Sequence, residues 1–503
     1  MNAVIPWIFL FLLAIFPVSG TIALRNIVIL VLMLLMIWYC VFSKVESRKQ
    51  KTKFLADISW PIILWVVLLL VFPLWAHEGR EAWKNLGGQW LESLLVGFIG
   101  YAVYRCMGNR GPGLLALAVA SSAPLFIHLI LCIAAVLGLL DAGFYAEPSL
   151  ATVWSSLLNP GGYSQNPHLG IHELMLGFRG VEPMHGNLGY PACQAICLYV
   201  AAYVMALREK GTNVQLISVG GSALCLLSIL IAQSRGALLY AIAMMAIGYF
   251  IYRFQVRQEH EVVHISKLSF RAKAIVSICA LLMAAVGFQY VRHDKRWFYM
   301  LDSVESGFLI TDPINVLCNG MDVETEAGIR SRLMHLGPEH VHAVIAGMNS
   351  DGGRVLILRG GFQLMLENPA GLDGSRHSYQ KLIKERCGHE PVMQFAHTHN
   401  AWIDLALALG WIGALIFANM MLFFVRIGWK HLHSKSVNGW AVALTLVSLF
   451  WILRGFADSV YREHYLQMQL MLLMYVYAHL IAVWETDETT LIGVDKKRAV
   501  ITE

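Results

Sequence analysis

Apolar runs long enough to cross a bilayer follow one another through most of this chain, broken by one long polar segment at about 291–398. A membrane-crossing helix needs about 20 residues at 1.5 Å each, and in lipid the backbone must satisfy its own hydrogen bonds, so such runs fold as helices. Twelve can be placed, near 4–21, 26–43, 55–75, 91–107, 114–140, 190–207, 213–232, 236–252, 273–290, 399–425, 438–457 and 466–484. Hydrophobic residues make up 57% of the 503 and charged ones only 14%. That balance excludes a soluble domain and points to an all-α polytopic membrane protein of about 12 transmembrane helices. Residues 1–290 carry helices 1–9, residues 291–398 form a loop domain, and residues 399–503 carry helices 10–12 and a tail. The first run lacks a Lys or Arg flank and a second run follows at once, so it reads as a retained helix and not a signal peptide.

Charge sets the orientation. With the N-terminus cytoplasmic, the inner segments Lys44–Lys53, Arg105–Arg110, Arg208–Lys210, Arg253–Lys273, Arg426–Lys435 and the tail hold 20 of the 38 Lys and Arg residues. The short outer turns at 22–25, 233–235 and 458–465 hold one Arg each, as the positive-inside rule requires. Both termini are then cytoplasmic, and the loops at 141–189 and 291–398 lie outside, which in a bacterial inner membrane is the periplasm. Seven of the nine cysteines fall in or beside apolar runs; Cys318 and Cys387 alone lie in the polar segment, where they are available to pair. Glu78–Ser93 reads as an interfacial helix with Trp83, Leu86, Trp90 and Leu94 about one face. There is no nucleotide-binding glycine loop and no basic patch of nucleic-acid type, so chemistry here works on substrates that arrive activated.

The tenth run opens on His397-Thr-His399-Asn400-Ala-Trp-Ile-Asp404 and continues to Gly410-Trp-Ile-Gly413. Asn400 suits a helix N-cap. The positive end of the helix dipole favours a neutral imidazole at His399, a form able to accept a proton. Without further context, this is a polar cap on a membrane helix with glycines for packing. The spacing His399-Asn400, nine residues, then Gly410-Trp-Ile-Gly413 resembles the signature of the O-antigen ligase and polymerase superfamily. These are membrane glycosyltransferases of GT-C-like fold that use polyprenyl-diphosphate-linked glycans. The resemblance extends over about 190–425.

Other residues fit the same resemblance. Arg235, in Gln233-Ser234-Arg235-Gly236, lies at the edge of the hydrocarbon, where a charge is costly unless it has a function or a partner; a snorkelling interface arginine is the alternative. Arg332, in Gly328-Ile-Arg330-Ser-Arg332, is similar to the family's loop arginine, with Arg330 as its competitor. Arginine suits a diphosphate because its planar fork makes paired charge-assisted hydrogen bonds. Arg179, His185 and Asn187 in the first outer loop match more loosely. Glu367-Asn-Pro-Ala-Gly371-Leu-Asp-Gly374 resembles a family turn but reads on its residues as an ordinary loop. Asp404, Arg454 and Asp458 read as structural ion-pairing groups. His168, His172 and His185, and the pairs His340/His342 and His397/His399, have spacings that zinc can use, but no third ligand is fixed.

The resemblance implies no metal and no cofactor. It implies a donor of O-antigen on undecaprenyl diphosphate and an acceptor sugar on lipid A-core, with membrane lipids around them and no nucleotide or nucleic acid. His399 would be the general base, Arg235 and Arg332 would hold the diphosphate, and direct displacement would invert the anomeric centre. An O-antigen polymerase, a protein O-oligosaccharyltransferase and a lipid-linked glycan transporter remain open in that order.

Overall fold

The computed structural model describes residues 4–18, 21–42, 58–136, 185–209, 211–231, 234–258, 296–348, 351–432, 438–461 and 464–482, with isolated positions at 281, 285 and 288. Among these residues the secondary structure is entirely helical. The membrane bundle comprises α1 (Val4–Ile15), α2 (Ile22–Phe42), α3 (Trp60–Val71), α4 (Gly79–Asn85), α5 (Leu91–Met107), α6 (Leu114–Val136), α7 (His185–Glu209), α8 (Thr212–Ile231) and α9 (Arg235–Gln258). The loop domain follows with α10 (Arg296–Leu309), α11 (Pro313–Asn319), α12 (Val323–Leu333), α13 (Pro338–Gly347), α14 (Asp351–Glu367) and α15 (Ser378–Cys387). The chain then returns to the bundle as α16 (Ala401–Lys430), α17 (Asn438–Gly455) and α18 (His464–Ala482).

Among the described residues six helices, α2, α7, α8, α9, α16 and α18, are long and apolar enough to cross a membrane; shorter apolar stretches lie at Val4–Ile15, Trp60–Leu74, Leu114–Ile127 and Gly439–Gly455. Most of the expected ninth run, 273–290, lies outside the described residues. Helix α7 is the axis of the bundle, packed against α6, α8, α9 and α17. Its stretch from Ala192 to Ala202 is almost wholly buried, because Ala and Cys let neighbouring backbones come close. The expected interfacial helix is divided: Leu86 and Trp90 are buried, whereas Trp83 faces outward, since a π-turn at Leu86–Trp90 shifts the helical phase.

The loop domain has its own apolar core around Leu317, Val344, Leu356 and Ile357, to which α16 contributes Ile403 and Leu407. Cys318 and Cys387 are joined as a disulfide, linking α11 to α15 across 69 residues of sequence.

Helix α16 is not continuous. Gly410 has φ 77° and ψ 173°, a region open almost only to glycine. The interruption would orphan the carbonyls of the preceding turn. The turn that follows α14 supplies what is missing. Leu372 N–H donates to Leu407 O at 2.9 Å, Gly374 N–H to Ala408 O at 2.9 Å, and Trp411 N–H turns to Pro369 O at 3.0 Å. The fit is close: a Cβ on Gly410 would lie 2.7 Å from Ala370 O, and one on Gly371 2.3 Å from Gly410 N. The segment expected to be an ordinary loop turn is therefore the plug of a broken helix. Residues 411–430 alone give about 30 Å of helix, enough to cross the hydrocarbon. The first half, 401–409, stands apart as a short helix with His399 and Asn400 at its start.

Gly410→Ala should cost about 1–3 kcal/mol, from backbone strain and the clash with Ala370; a thermal melt in detergent with an unchanged midpoint would refute the plug. Replacing both Cys318 and Cys387 by Ser should lower the stability of the loop domain by about 4 kcal/mol, the loop-closure value for a ring of this length. Thermal unfolding followed by protease sensitivity of the loop domain measures it.

Candidate active site

The half-helix 401–409 begins in a tightly held turn. Asn400 is its N-cap: the side-chain Oδ1 accepts from Trp402 N–H at 3.0 Å and Ile403 N–H at 3.1 Å, and Nδ2 donates to Phe456 O at 3.2 Å. Thr398 fastens the residue on the other side, its hydroxyl accepting from Asn400 N–H at 3.2 Å and donating to Asn400 O at 2.9 Å. Between them His399 is the one described non-glycine residue at positive φ, 54°. Such a conformation costs an L-residue about 1–2 kcal/mol, and it persists here because both neighbours are pinned. Asp404 accepts from Thr398 N–H at 3.0 Å and from the Ser459 hydroxyl, so it staples the turn.

The side chain of His399, about a quarter exposed, faces Asp458 in the turn after α17, with Nδ1 3.4 Å from Oδ1. That separation is long for a hydrogen bond. Asp458 is densely partnered: Oδ2 accepts from the Tyr190 hydroxyl at 2.6 Å and Arg454 Nη2 at 3.0 Å, and Oδ1 from Ser459 N–H at 2.9 Å. Burial by itself would push the Asp458 carboxyl up, but the neighbouring His399 imidazole and the positive charge of Arg454 outweigh it and hold the group well below the usual carboxylate range. Arg454, only 6% exposed in its side chain, lies over the Tyr190 ring at 4.6 Å and the Tyr240 ring at 5.6 Å, so aromatic faces share its charge. A Cβ on Gly236 would stand 3.2 Å from Arg454 Nη1. The guanidinium thus abuts the first turn of α9, immediately beyond Arg235.

The sequence candidates fall into three groups. His399 and Asn400 border this cluster, while Arg235 is the sequence neighbour of Gly236, which faces Arg454. Arg330 and Arg332 are on the exposed surface of α12, where Arg330 Nε donates to Glu326 at 2.8 Å and Arg332 pairs with Glu305 of α10; these described contacts do not bring them to His399. Arg179 lies outside the described residues, and His185 and Asn187 fall in the first turn of α7 with their side chains outside that description. The expected mutual pairing of Arg454 and Asp458 is present, yet the pair is also the wall against which His399 rests. Tyr190 gave no signal in the sequence beyond being a tyrosine at the head of an apolar run. Two opposite charges four residues apart at the end of an apolar helix were the available clue.

His397, His399 and Asp458 offer ligand atoms within 4.8 Å of one another, so three protein groups could approach one cation. His397 Nδ1 already accepts from His399 N–H at 3.2 Å, and Arg454 supplies positive charge to Asp458. A divalent ion would have to compete with both.

A cavity of about 770 Å³ opens beside the turn, lined chiefly by apolar groups including Phe362, Trp402, Trp411 and Phe456, with Asn400 at its edge. Residues 220–418 match the family model described as O-Antigen ligase. The matched stretch runs from α8 through the loop domain and into α16, about two-fifths of the chain, and includes Arg235, His399, Gly410 and the plug. The match is consistent with a member of the O-antigen ligase and polymerase superfamily. Arg454 and Asp458 lie beyond the matched residues. No curated protein matches the chain.

Removing the Arg454 charge by Arg454→Met should destabilise the protein by about 3–5 kcal/mol, the usual cost of leaving a buried charge without its partner. Adding Asp458→Asn should recover a large part. A double-mutant cycle on thermal unfolding tests this, and strict additivity of the two changes would show that the pair is not coupled.

Proposed function

We propose that this protein is an O-antigen ligase of the bacterial inner membrane. It transfers O-polysaccharide from undecaprenyl diphosphate to a sugar of lipid A-core on the periplasmic face. The observation that carries the reading is the placement of His399, at the head of a half-helix within the matched residues, against a half-buried, ionised Asp458.

Asp458 favours the tautomer with the proton on Nδ1, which leaves Nε2 as the acceptor. The acceptor sugar hydroxyl gives its proton to Nε2 as its oxygen attacks the anomeric carbon, and the bond from that carbon to the diphosphate oxygen breaks. Undecaprenyl diphosphate departs with the electron pair, and the configuration inverts. Asp458 then faces a protonated imidazole, whose charge it stabilises. The 3.4 Å separation would shorten at that stage, as contacts in unliganded sites commonly do.

Diphosphate is a good leaving group, so cations matter more than an acid. Arg235 sits at the N-terminus of α9, where the dipole and exposed N–H groups also favour an anion. Arg332 is the second cation in this reading and would exchange Glu305 for phosphate; Arg330, Arg179, His185, Asn187 and Asn400 supply further substrate contacts. The apolar cavity beside Asn400 takes the start of the polyprenyl chain. Holding two lipid-anchored substrates at one site contributes as much through proximity as through proton transfer. No step calls for a metal or cofactor.

The test is transfer by purified protein supplied with the lipid-linked donor and lipid A-core. Glycan appearing on the core supports the ligase, whereas lengthening of the lipid-linked glycan alone would identify a polymerase. His399→Ala should lower transfer by about 10²–10⁴-fold, the usual worth of general-base help, with unchanged thermal stability. Undiminished transfer would remove His399 from the chemistry.

A further inference from the structure

A second cavity, about 420 Å³, is of opposite character to the first. Arg25 and Asn26 come from α2, Gln89 and Glu92 from the junction of α4 and α5, Arg376 and His377 from the turn before α15, and Gln467 from α18. Arg25 and Gln467 are each only 6% exposed. Burying polar groups is costly, and here four separate segments bring theirs to one hollow. The volume is within the range of small-molecule sites, roughly 300–1,000 Å³.

The wall of this cavity is rigid where it meets the helix plug. Asp373, fully buried, accepts from Ser375 N–H at 2.9 Å, the Ser378 hydroxyl at 2.7 Å and Lys381 at 2.6 Å. Trp90 Nε1 donates to Gly374 O at 2.8 Å, and Asn85 Nδ2 to Asp373 O at 2.8 Å. The residues presenting Arg376 are therefore fixed to the same turn that completes α16.

A narrow cleft shares Gln89, Ser375 and Arg376 with the polar cavity and continues to Ala401, Asp404 and Ser459. It ends beside the turn that carries Asp458, whose carbonyl accepts from Ala401 N–H at 3.2 Å. At 100° per residue, Ala401, Asp404, Leu405 and Ala408 lie on one face of the half-helix, while Trp402, Ile403 and Ala406, which line the apolar cavity, lie on the other. The half-helix thus turns one face to the apolar cavity and the other to the narrow cleft that leads toward the polar cavity.

We propose that the polar cavity is a subsite for an anionic saccharide, one bearing phosphate or carboxylate, that belongs to the acceptor glycan. Amides of Asn26, Gln89 and Gln467 offer both donors and acceptors, as sugar hydroxyls require. The guanidinium groups of Arg25 and Arg376 match an oxyanion, with Glu92 opposite as an acceptor for hydroxyls. The apolar cavity is the one suited to the donor's isoprenoid, which leaves the polar cavity to the other substrate. This assignment to the acceptor rests on the ligase reading; the anion-binding chemistry does not.

The test is calorimetric binding of three lipid-free probes to the full-length protein in detergent: phosphorylated core oligosaccharide, the same oligosaccharide after phosphatase treatment, and glycan released from the donor. The phosphorylated core should bind, and removal of phosphate should weaken it by about tenfold or more, as expected when a charge-assisted hydrogen bond is lost. Arg376→Gln, at an exposed position, should weaken the phosphorylated core about tenfold and raise KM for the acceptor but not for the donor. Equal binding of the two core forms, preference for the donor glycan, or an Arg376→Gln protein with unchanged acceptor affinity would each overturn the proposal. Binding is measured without donor, so a protein that binds phosphorylated core yet transfers nothing upholds the subsite and sinks the ligase reading.

Discussion

A membrane helix that stops at Gly410 must find new partners for the backbone groups exposed there, because lipid offers none. The turn at Pro369–Gly374 provides them, and most of the local architecture follows from that debt. Accepting the plug fixes where the loop domain sits on the bundle, since the same turn binds Trp90 and Asn85. It frees residues 401–409 to form a separate half-helix whose direction is set by the loop domain and by α17 as much as by the membrane. Glycine at 371 and at 410 is demanded by the closeness of the two backbones, which leaves no room for a Cβ on either.

Charge is handled in the same economical manner. Asp458 would be costly to bury alone, and it is surrounded by one cation, one phenol, one backbone N–H and one imidazole. Arg454 is in turn shielded by two aromatic rings. A structural ion pair would be complete without His399. The imidazole instead sits at the long end of bonding distance from a carboxylate that is already ionised. An imidazole in that position gains stabilisation mainly when it becomes positive, which is the differential interaction that the proposed general-base role would use.

Much of this was legible in the residues. Hydropathy marked twelve runs, six of which are, among the described residues, helices long and apolar enough to cross a membrane, and a helix entry at His399-Asn400 followed from capping chemistry, which the two N–H bonds to Asn400 Oδ1 fulfil. Cys318 and Cys387 were the two cysteines available to pair, and they do. The break at Gly410 was not legible, because a glycine in an apolar run looks the same whether it packs or turns. Only the plug, 36 residues earlier at Gly374, distinguishes the two. Asp458 and Arg454 were visible as charges in an apolar setting, but their part in the site depends on a turn between helices that no local pattern encodes. Arg25, Gln89 and Arg376 are polar residues of three unrelated segments, and nothing within any one segment announces that they share a cavity.

The fixed interval between His399-Asn400 and Gly410 then has a physical meaning. Nine residues make two and a half turns, about 13.5 Å of helix, and the interval is the length of a partition. At its head, the Asn400 cap holds His399 in its strained conformation; at its foot, Gly410 admits the plug. One face lines the apolar cavity and the other the narrow cleft that leads toward the polar cavity. Lengthening the partition by one residue would rotate its faces by 100° and present each cavity with the wrong lining, while moving the imidazole away from Asp458. A sequence motif that reads as a histidine followed by spaced glycines is in this fold a ruler, with an imidazole at one end and a backbone junction at the other.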